Sequence, residues 1–338
     1  MPGLIRGGRR VVRRLLIIGL LLAAALAATG AWWLNRPLDL AAPTVDLSIE
    51  PGMSPRAVAQ ASADAGADVN PTLLFWWFRL SGDARQIRAG SYELTAGVTP
   101  VSLLRMLVRG EESLRSVTLV EGWNWRQVRQ ALARAEMLKP DSQAMDDAAV
   151  MRALGRPGIH PEGRFYPDTY TYAKGSSDLA VLRRALQAMD RKLGAAWAQR
   201  APDTPLKTPD EALILASIVE KETGKPADRA LIAAVFTNRL RLGMMLQTDP
   251  TVIYGLGAAF DGNLRKRDLR TDTPWNTYTR AGLPPTPIAM PGSAALMAAV
   301  QPAQTRALYF VARGDGSSQF SVTLDEHNRA VNRYQRGQ

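Results

Sequence analysis

The chain has 338 residues, enough for two or three domains rather than a single core. Apolar residues make up 46% and charged residues 22%, as in a folded globular protein, and the absence of cysteine excludes disulfides and thiolate-held metals. The formal charge is +11, but Arg6, Arg9, Arg10, Arg13 and Arg14 precede the first apolar run and leave only +6 downstream, which argues against nucleic acid as a partner and suits a wall polymer or an anionic lipid surface.

Leu15 to Leu34 is an uncharged run long enough to cross a hydrocarbon core as a helix. Trp32 and Trp33 stand at its far end, where aromatic belts lie, and the arginines stand before it. The positive-inside rule then puts residues 1–14 in the cytoplasm as a basic tail and the bulk of the chain outside. The competing reading is a cleaved signal peptide, because Ala23 to Ala28 is rich in small residues. The length of the run and its continuation through the tryptophans favour an anchor. Residues 35–43, with Pro37 and Pro43, form a linker.

Beyond the linker one pattern occurs three times. Val45–Ile49, Tyr92–Leu94 and Ser116–Val120 read as strands. Each is followed by a glycine turn, a capping residue (Ser54, Thr99, Asn124) and a helix. Proline follows the first two caps, at the helical position where its missing N–H costs nothing. Three such units suggest small modules on one plan. From residue 116 onward the chain reads as mainly helical with a small antiparallel sheet. Glu162 to Tyr172 is an aromatic-rich ordered loop, and Leu179 to Arg200 has helical periodicity. Thr208-Pro-Asp-Glu211 is a capping box opening an apolar helix that ends near Gly224, and Asp228 to Leu242 is a second helix. Leu308–Arg313 and Gln319–Thr323 flank a glycine turn as a hairpin, and Asp325 to Gln335 closes the chain as a helix.

On the apolar helix, Glu220 shares a face with Leu213, Ala216 and Ser217, whereas Glu222 is turned roughly 200° away at about 100° per residue. A carboxyl facing apolar neighbours has a raised pKa, which a general acid for glycosidic cleavage needs. The bland alternative is a Glu220 at a frayed helix end, in solvent or paired with an arginine. His160 and His327 are the only histidines and form no metal-binding cluster, and no Gly-x-Ser-x-Gly elbow is present. No cofactor is therefore expected. Gln247-Thr-Asp-Pro-Thr251 and Trp275-Asn-Thr-Tyr278 are polar clusters with aromatics. Their groups suit sugar recognition, although loop capping accounts for either cluster alone.

These residues carry a family resemblance. The stretches Ile87–Val108, Glu162–Tyr172, Leu213–Thr223, Val235–Gly257, Asn276–Ile288 and Asp325–Val331 together resemble the endolytic murein transglycosylases, the YceG-like proteins of the bacterial cell wall. The resemblance implies an α+β fold with a LysM-like α/β module over residues 44–115 and a catalytic domain over residues 116–338. It implies Glu220 as the catalytic residue, with Gln247, Thr248, Asp249, Asn276 and Tyr278 lining the substrate. It implies cleavage of the MurNAc–GlcNAc bond within nascent strands, giving 1,6-anhydro ends and terminating elongation. The partners it implies are peptidoglycan strands and the inner membrane, with peptidoglycan synthases to be looked for and nucleic acid excluded. Two departures stand out. Trp275 replaces the usual tyrosine, and Ser318 stands where relatives carry a histidine two positions before Phe320. A non-catalytic, membrane-tethered scaffold and a muramidase-type hydrolase are the competing functions.

Overall fold

The computed structural model describes residues 4–222 and 225–337. The first three residues of the basic tail lie outside the described residues, as do Thr223 and Gly224, where the Leu213–Thr223 motif and its helix end in the sequence. The fold is mixed α+β and mostly helical. Its strands form four separate two-stranded pairs among the described residues rather than a single sheet. Helix α1 runs from Leu4 to Asn35, so nearly all of the basic tail continues the apolar helix. Leu15–Asn35 is long and apolar enough to cross a membrane.

The chain divides into two compact units, one of residues 1–114 with 173–175, the other of residues 115–172 with 176–338. In the first, β1 (Asp39–Leu40) pairs with β3 (Ala67–Asp68), so the expected linker already contains paired backbone. Strand β2 (Thr44–Ile49) runs antiparallel to β4 (Gly90–Thr95), with Leu47 opposite Tyr92. Its alternation buries Val45, Leu47 and Ile49 on one face. Helices α2 (Pro55–Asp64), α3 (Pro71–Leu80) and α4 (Pro100–Arg109) cover that face. Ser54 Oγ accepts the Ala57 N–H at 3.2 Å, and Thr99 and Ser102 cap α4 reciprocally. The sequence reading missed α3. Its signal was Asn70-Pro71, and Asn70 Oδ1 accepts the N–H groups of Thr72 and Leu73.

The third strand–turn–helix repeat belongs mostly to the second unit: β5 (Leu114–Thr118) and α5 (Trp125–Arg134), with Asn124 and Gln127 as the reciprocal cap. Strand β5 pairs with β6 (Thr169–Ala173). The aromatic run from Glu162 therefore ends in a strand rather than staying a loop throughout. Helix α6 (Asp147–Ala153) and the first half of α7 (Asp178–Ala198) close one core around Val128, Leu132, Met151, Phe165 and Leu182. A second core is built on α8 (Pro209–Glu222), whose Ala212, Leu213, Leu215, Ala216, Ile218 and Val219 are all buried. Helices α9 (Arg229–Arg241), α10 (Asp249–Leu256) and α11 (Lys266–Arg270) follow. Helix α12 (Ser293–Val300) packs on α7, α8 and α9. Strands β7 (Tyr309–Ala312) and β8 (Ser318–Ser321) form the expected hairpin, and α13 (Leu324–Gln335) ends the described chain. Ser318 lies opposite Ala312, and its N–H donates to Asp228 Oδ2 at 2.6 Å.

Candidate active site

Helix α8 ends in two acids with different surroundings. Glu220 is half-buried, and its Oε2 accepts the N–H of Gly292 at 2.9 Å. Gly292 is the N-cap of α12, so this carboxylate sits on the positive end of a helix dipole. Burial and the nearby Glu121 push its pKa up, while the Gly292 bond, Arg229 and Lys221 pull it down, for a net rise. Ser217, on the same face, accepts the Ile288 N–H at 3.0 Å. This face of α8 thus holds the segment running from Ile288 into α12.

Glu222 does leave that face, as the helical angle requires. It does not enter open water. Thr248 Oγ1 donates to its Oε1, and burial and the neighbouring Asp249 raise its pKa, only partly opposed by the Thr248 bond. It lines a cavity of about 580 Å³ together with Gln247, Asp249, Tyr278, Arg239 and Tyr309. Tyr278 donates its hydroxyl to Asp249 Oδ1 at 2.6 Å. Three of the residues expected to line the substrate, Gln247, Asp249 and Tyr278, therefore line the Glu222 cavity, while the Glu220 carboxylate bonds the start of α12.

The loops around residues 247 and 278 supply one wall of this cavity, β7 and α13 supply most of the rest, and backbone bonds zip the two loops together. Gln247 N–H donates to Thr277 O at 3.1 Å, and Thr248 N–H donates to Thr277 Oγ1 at 3.1 Å. Arg239 holds the turn that leads into the 247 loop, its Nη1 reaching Met245 O at 3.2 Å and Leu246 O at 2.9 Å. Its guanidinium also lies over Tyr309, which stacks on His327. Gln247 has φ +51°, in the left-handed region where a side chain costs about 1–3 kcal/mol and persists only if its surroundings impose it. Such strain clusters at functional sites.

Two of the expected site residues do not face this cavity. Asn276 is 0% exposed. Its amide donates to the carbonyls of Asp268, Leu269 and Thr271, and its Oδ1 accepts the Tyr278 N–H at 2.8 Å. It shapes the loop that presents Tyr278. Thr248 is 2% exposed and its hydroxyl donates to Glu222.

The sequence reading overlooked one acid. Glu162 is 2% exposed and lines a separate cavity of about 640 Å³ with Trp125, Tyr254 and Trp275. Its two oxygens each lie 3.0 Å from the Trp125 N–H, and burial lifts its pKa to about 7. The available signal was the Glu-Gly pair opening the aromatic run. At Gly163, with φ +77°, a Cβ would lie 2.4 Å from the Cβ of Pro287, so only glycine lets the chain approach that closely. The folded carboxyl keeps its proton to about pH 7, whereas an unperturbed one loses it near 4.5. Between those values the folded state binds more protons, so stability falls as pH rises, by about 3 kcal/mol in all. Glu162→Gln should flatten that slope in urea melts at pH 5 and pH 8. An unchanged slope would mean that Glu162 titrates normally.

The profile of the YceG-like family matches residues 47–333, almost the whole chain after the first helix. The chain belongs to the YceG-like family. It is 30% identical over 308 residues to the endolytic murein transglycosylase of Bacillus subtilis (strain 168), covering 86% of this chain and 85% of that protein. It is 26% identical to the endolytic murein transglycosylase of Streptococcus pneumoniae (strain D39), covering 95% of this chain and 65% of that longer protein. The crystal structure of a YceG-like protein from Listeria monocytogenes matches with a TM-score of 0.54 at 29% identity, covering 85% of this chain and 98% of the other. Gln247, Thr248, Asp249, Asn276 and Tyr278 all lie in segments that carry the resemblance, and so do both Glu220 and Glu222.

Proposed function

We propose that this chain is a membrane-anchored endolytic murein transglycosylase. It cleaves the MurNAc–GlcNAc bond inside nascent glycan strands, leaves 1,6-anhydro ends, and so terminates elongation. Its relatives of that name support the activity. The observation that carries the mechanism is the Glu222 cavity: a carboxyl with a raised pKa, grouped with amide, carboxylate and phenol side chains. Glu222 protonates the glycosidic oxygen and then takes the proton of the muramyl 6-hydroxyl as that oxygen closes on the anomeric carbon. This transfers the acid–base role from Glu220, because the Glu220 carboxylate already serves the start of α12. The second reading keeps Glu220, favoured by its own raised pKa and apolar helix face. Digestion of purified glycan strands with mass analysis of the cut ends tests the activity. Parallel Gln substitutions at 220 and 222 separate the two acids.

The anchor reading rests on the helix Leu15–Asn35 and the arginines before it. The small first unit is proposed as the LysM-like module, and the second carries the chemistry. A reporter fused after Gly110 should be active only in its exported form. Activity of a cytoplasm-dependent reporter at that point would reverse the orientation and remove the wall as substrate.

A further inference from the structure

Helix α3 of the first unit carries apolar side chains on two sides. Leu74 and Phe78 are buried in the core of that unit. Leu73, Trp76 and Leu80 are 51%, 49% and 79% exposed. Their spacing of i, i+3 and i+7 puts them on one face, turned away from Leu74 and Phe78, at about 100° per residue. A surface helix ordinarily places polar residues there. Outside α1, the other exposed large apolar side chains of this unit, among its described residues, are Met53 and Leu114. The apolar surface is therefore concentrated on α3 and is not scattered over the unit.

The place of α3 in the unit says what covers this stripe. Leu38, just beyond the end of α1, donates its N–H to Val98 O at 2.8 Å, and Trp33 near the end of α1 packs on the same core as Leu74 and Phe78. Trp77, next in sequence to Trp76, donates its Nε1–H to Pro100 O at 3.2 Å. The exit of α1 and the middle of α3 are thus both tied to the start of α4. At that exit Trp32 is exposed and the Arg36 guanidinium lies over its ring at 5.5 Å. An aromatic ring and a cation at the end of an apolar helix mark the headgroup level of a bilayer. The charges around α3 agree. Arg79 stands in its last turn, and Arg85 and Arg88 follow, with Asp83 the one acid between residues 70 and 89. Cations beside an apolar stripe complement anionic lipid headgroups over acyl chains.

We infer that α3 is a second membrane contact, lying in the surface of the bilayer that α1 crosses, with Leu73, Trp76 and Leu80 below the headgroups and Arg79 among them. This goes beyond the anchor reading proposed above and rests on it. The first unit then has two supports, one helix through the bilayer and one along its surface. A single spanning helix leaves the unit free to tilt and rotate, and a contact along the surface removes both freedoms. Trp76 suits that depth because its ring is apolar and its N–H is polar.

The chain has no cysteine, so one introduced thiol can carry one fluorophore. The full chain is reconstituted in vesicles of phosphatidylethanolamine and phosphatidylglycerol, labelled in turn at Leu80→Cys, Leu73→Cys, Gln60→Cys and Leu22→Cys. Leu80, Leu73 and Gln60 are exposed, so the labels leave the core of the unit intact, and thermal melts check this. Each label is challenged with iodide from the water and with a nitroxide carried on the lipid. Labels at 80 and 73 should lose most of their iodide quenching, shift to shorter emission wavelength and be quenched by the nitroxide lipid. The label at 60, on α2, should stay open to iodide. Labels at 80 and 73 as open to iodide as the one at 60, or nitroxide quenching equal at all three, overturn the docking face. Protection from iodide without nitroxide quenching also overturns it, because the stripe is then covered by a second copy of the chain or by another protein. The label at 22 tests the anchor separately. If it stays open to iodide, α1 does not span. Nitroxide quenching at 80 and 73 in that case supports the docking face and sinks the anchor alone, and its absence sinks both.

Discussion

Glu222→Gln should lose strand cleavage by about 10²–10⁴-fold, the range in which a positioned acid–base group contributes. The amide keeps the shape and can still accept from Thr248 Oγ1, so the fold and the loop pairing around Thr277 should survive. What it removes is the titratable acid proton. Glu220→Gln should be much milder for turnover, because an amide oxygen can still accept the Gly292 N–H at the start of α12. The Glu220 pKa is raised on balance, so the folded state already disfavours the charge, and the neutral amide should leave thermal stability unchanged or slightly higher. Both variants need circular dichroism and thermal melts beside the activity assay. Near-parental turnover in Glu222→Gln with collapse in Glu220→Gln would return the role to Glu220. Equal and modest losses in both would remove the acid–base argument from α8 altogether.

The different surroundings of the two acids lie beyond what a helical wheel contains. Angular position along α8 fixes which side chains share a face, and Leu213, Ala216 and Ser217 do lie with Glu220 on the buried side. It carries nothing about what packs beyond that face. The N-terminus of α12 sits opposite Glu220, about seventy residues further along the chain. The Thr248 hydroxyl reaches Glu222 through the pairing of two loops around residues 247 and 277, a tertiary event with no local period. Local chemistry was legible wherever it decided the outcome by itself. Ser54, Thr99 and Asn124 cap helices as side-chain acceptors, the capping residues before α8 act where the sequence places them, and the last hairpin closes on its glycine turn. Helices α10, α11 and α12 are short and largely dictated by their neighbours, so periodicity gives little warning of them. Asn276 looked like a ligand because amides serve both sugars and loops. The structure buries it and bonds its amide to the loop.

The new ends made by this protein should be 1,6-anhydro-N-acetylmuramic acid, lighter by one water than reducing ends. Hydrolytic glycosidases place two carboxyl groups across the bond, one as acid and the other as nucleophile or as the base for water. The Glu222 cavity does contain a second carboxyl, Asp249, which is the strongest argument for a hydrolase. Its surroundings weaken that assignment. Asp249 is the first residue of α10, where a carboxylate is stabilised by the helix dipole. Its Oδ1 already accepts the Tyr278 hydroxyl at 2.6 Å. A carboxylate held in that way orients its neighbour well and makes a poor nucleophile. The muramyl 6-hydroxyl needs no second carboxyl, because it is tethered to the sugar under attack. Its effective concentration replaces much of the entropy cost of capturing water. One acid that gives a proton to the leaving oxygen and then takes one from the 6-hydroxyl completes the cycle. Digestion in ¹⁸O-labelled water decides the matter. Anhydro ends with no incorporated label fit the single-acid cycle. Reducing ends carrying the label would make the protein a hydrolase and give Asp249, rather than the substrate, the role of second group.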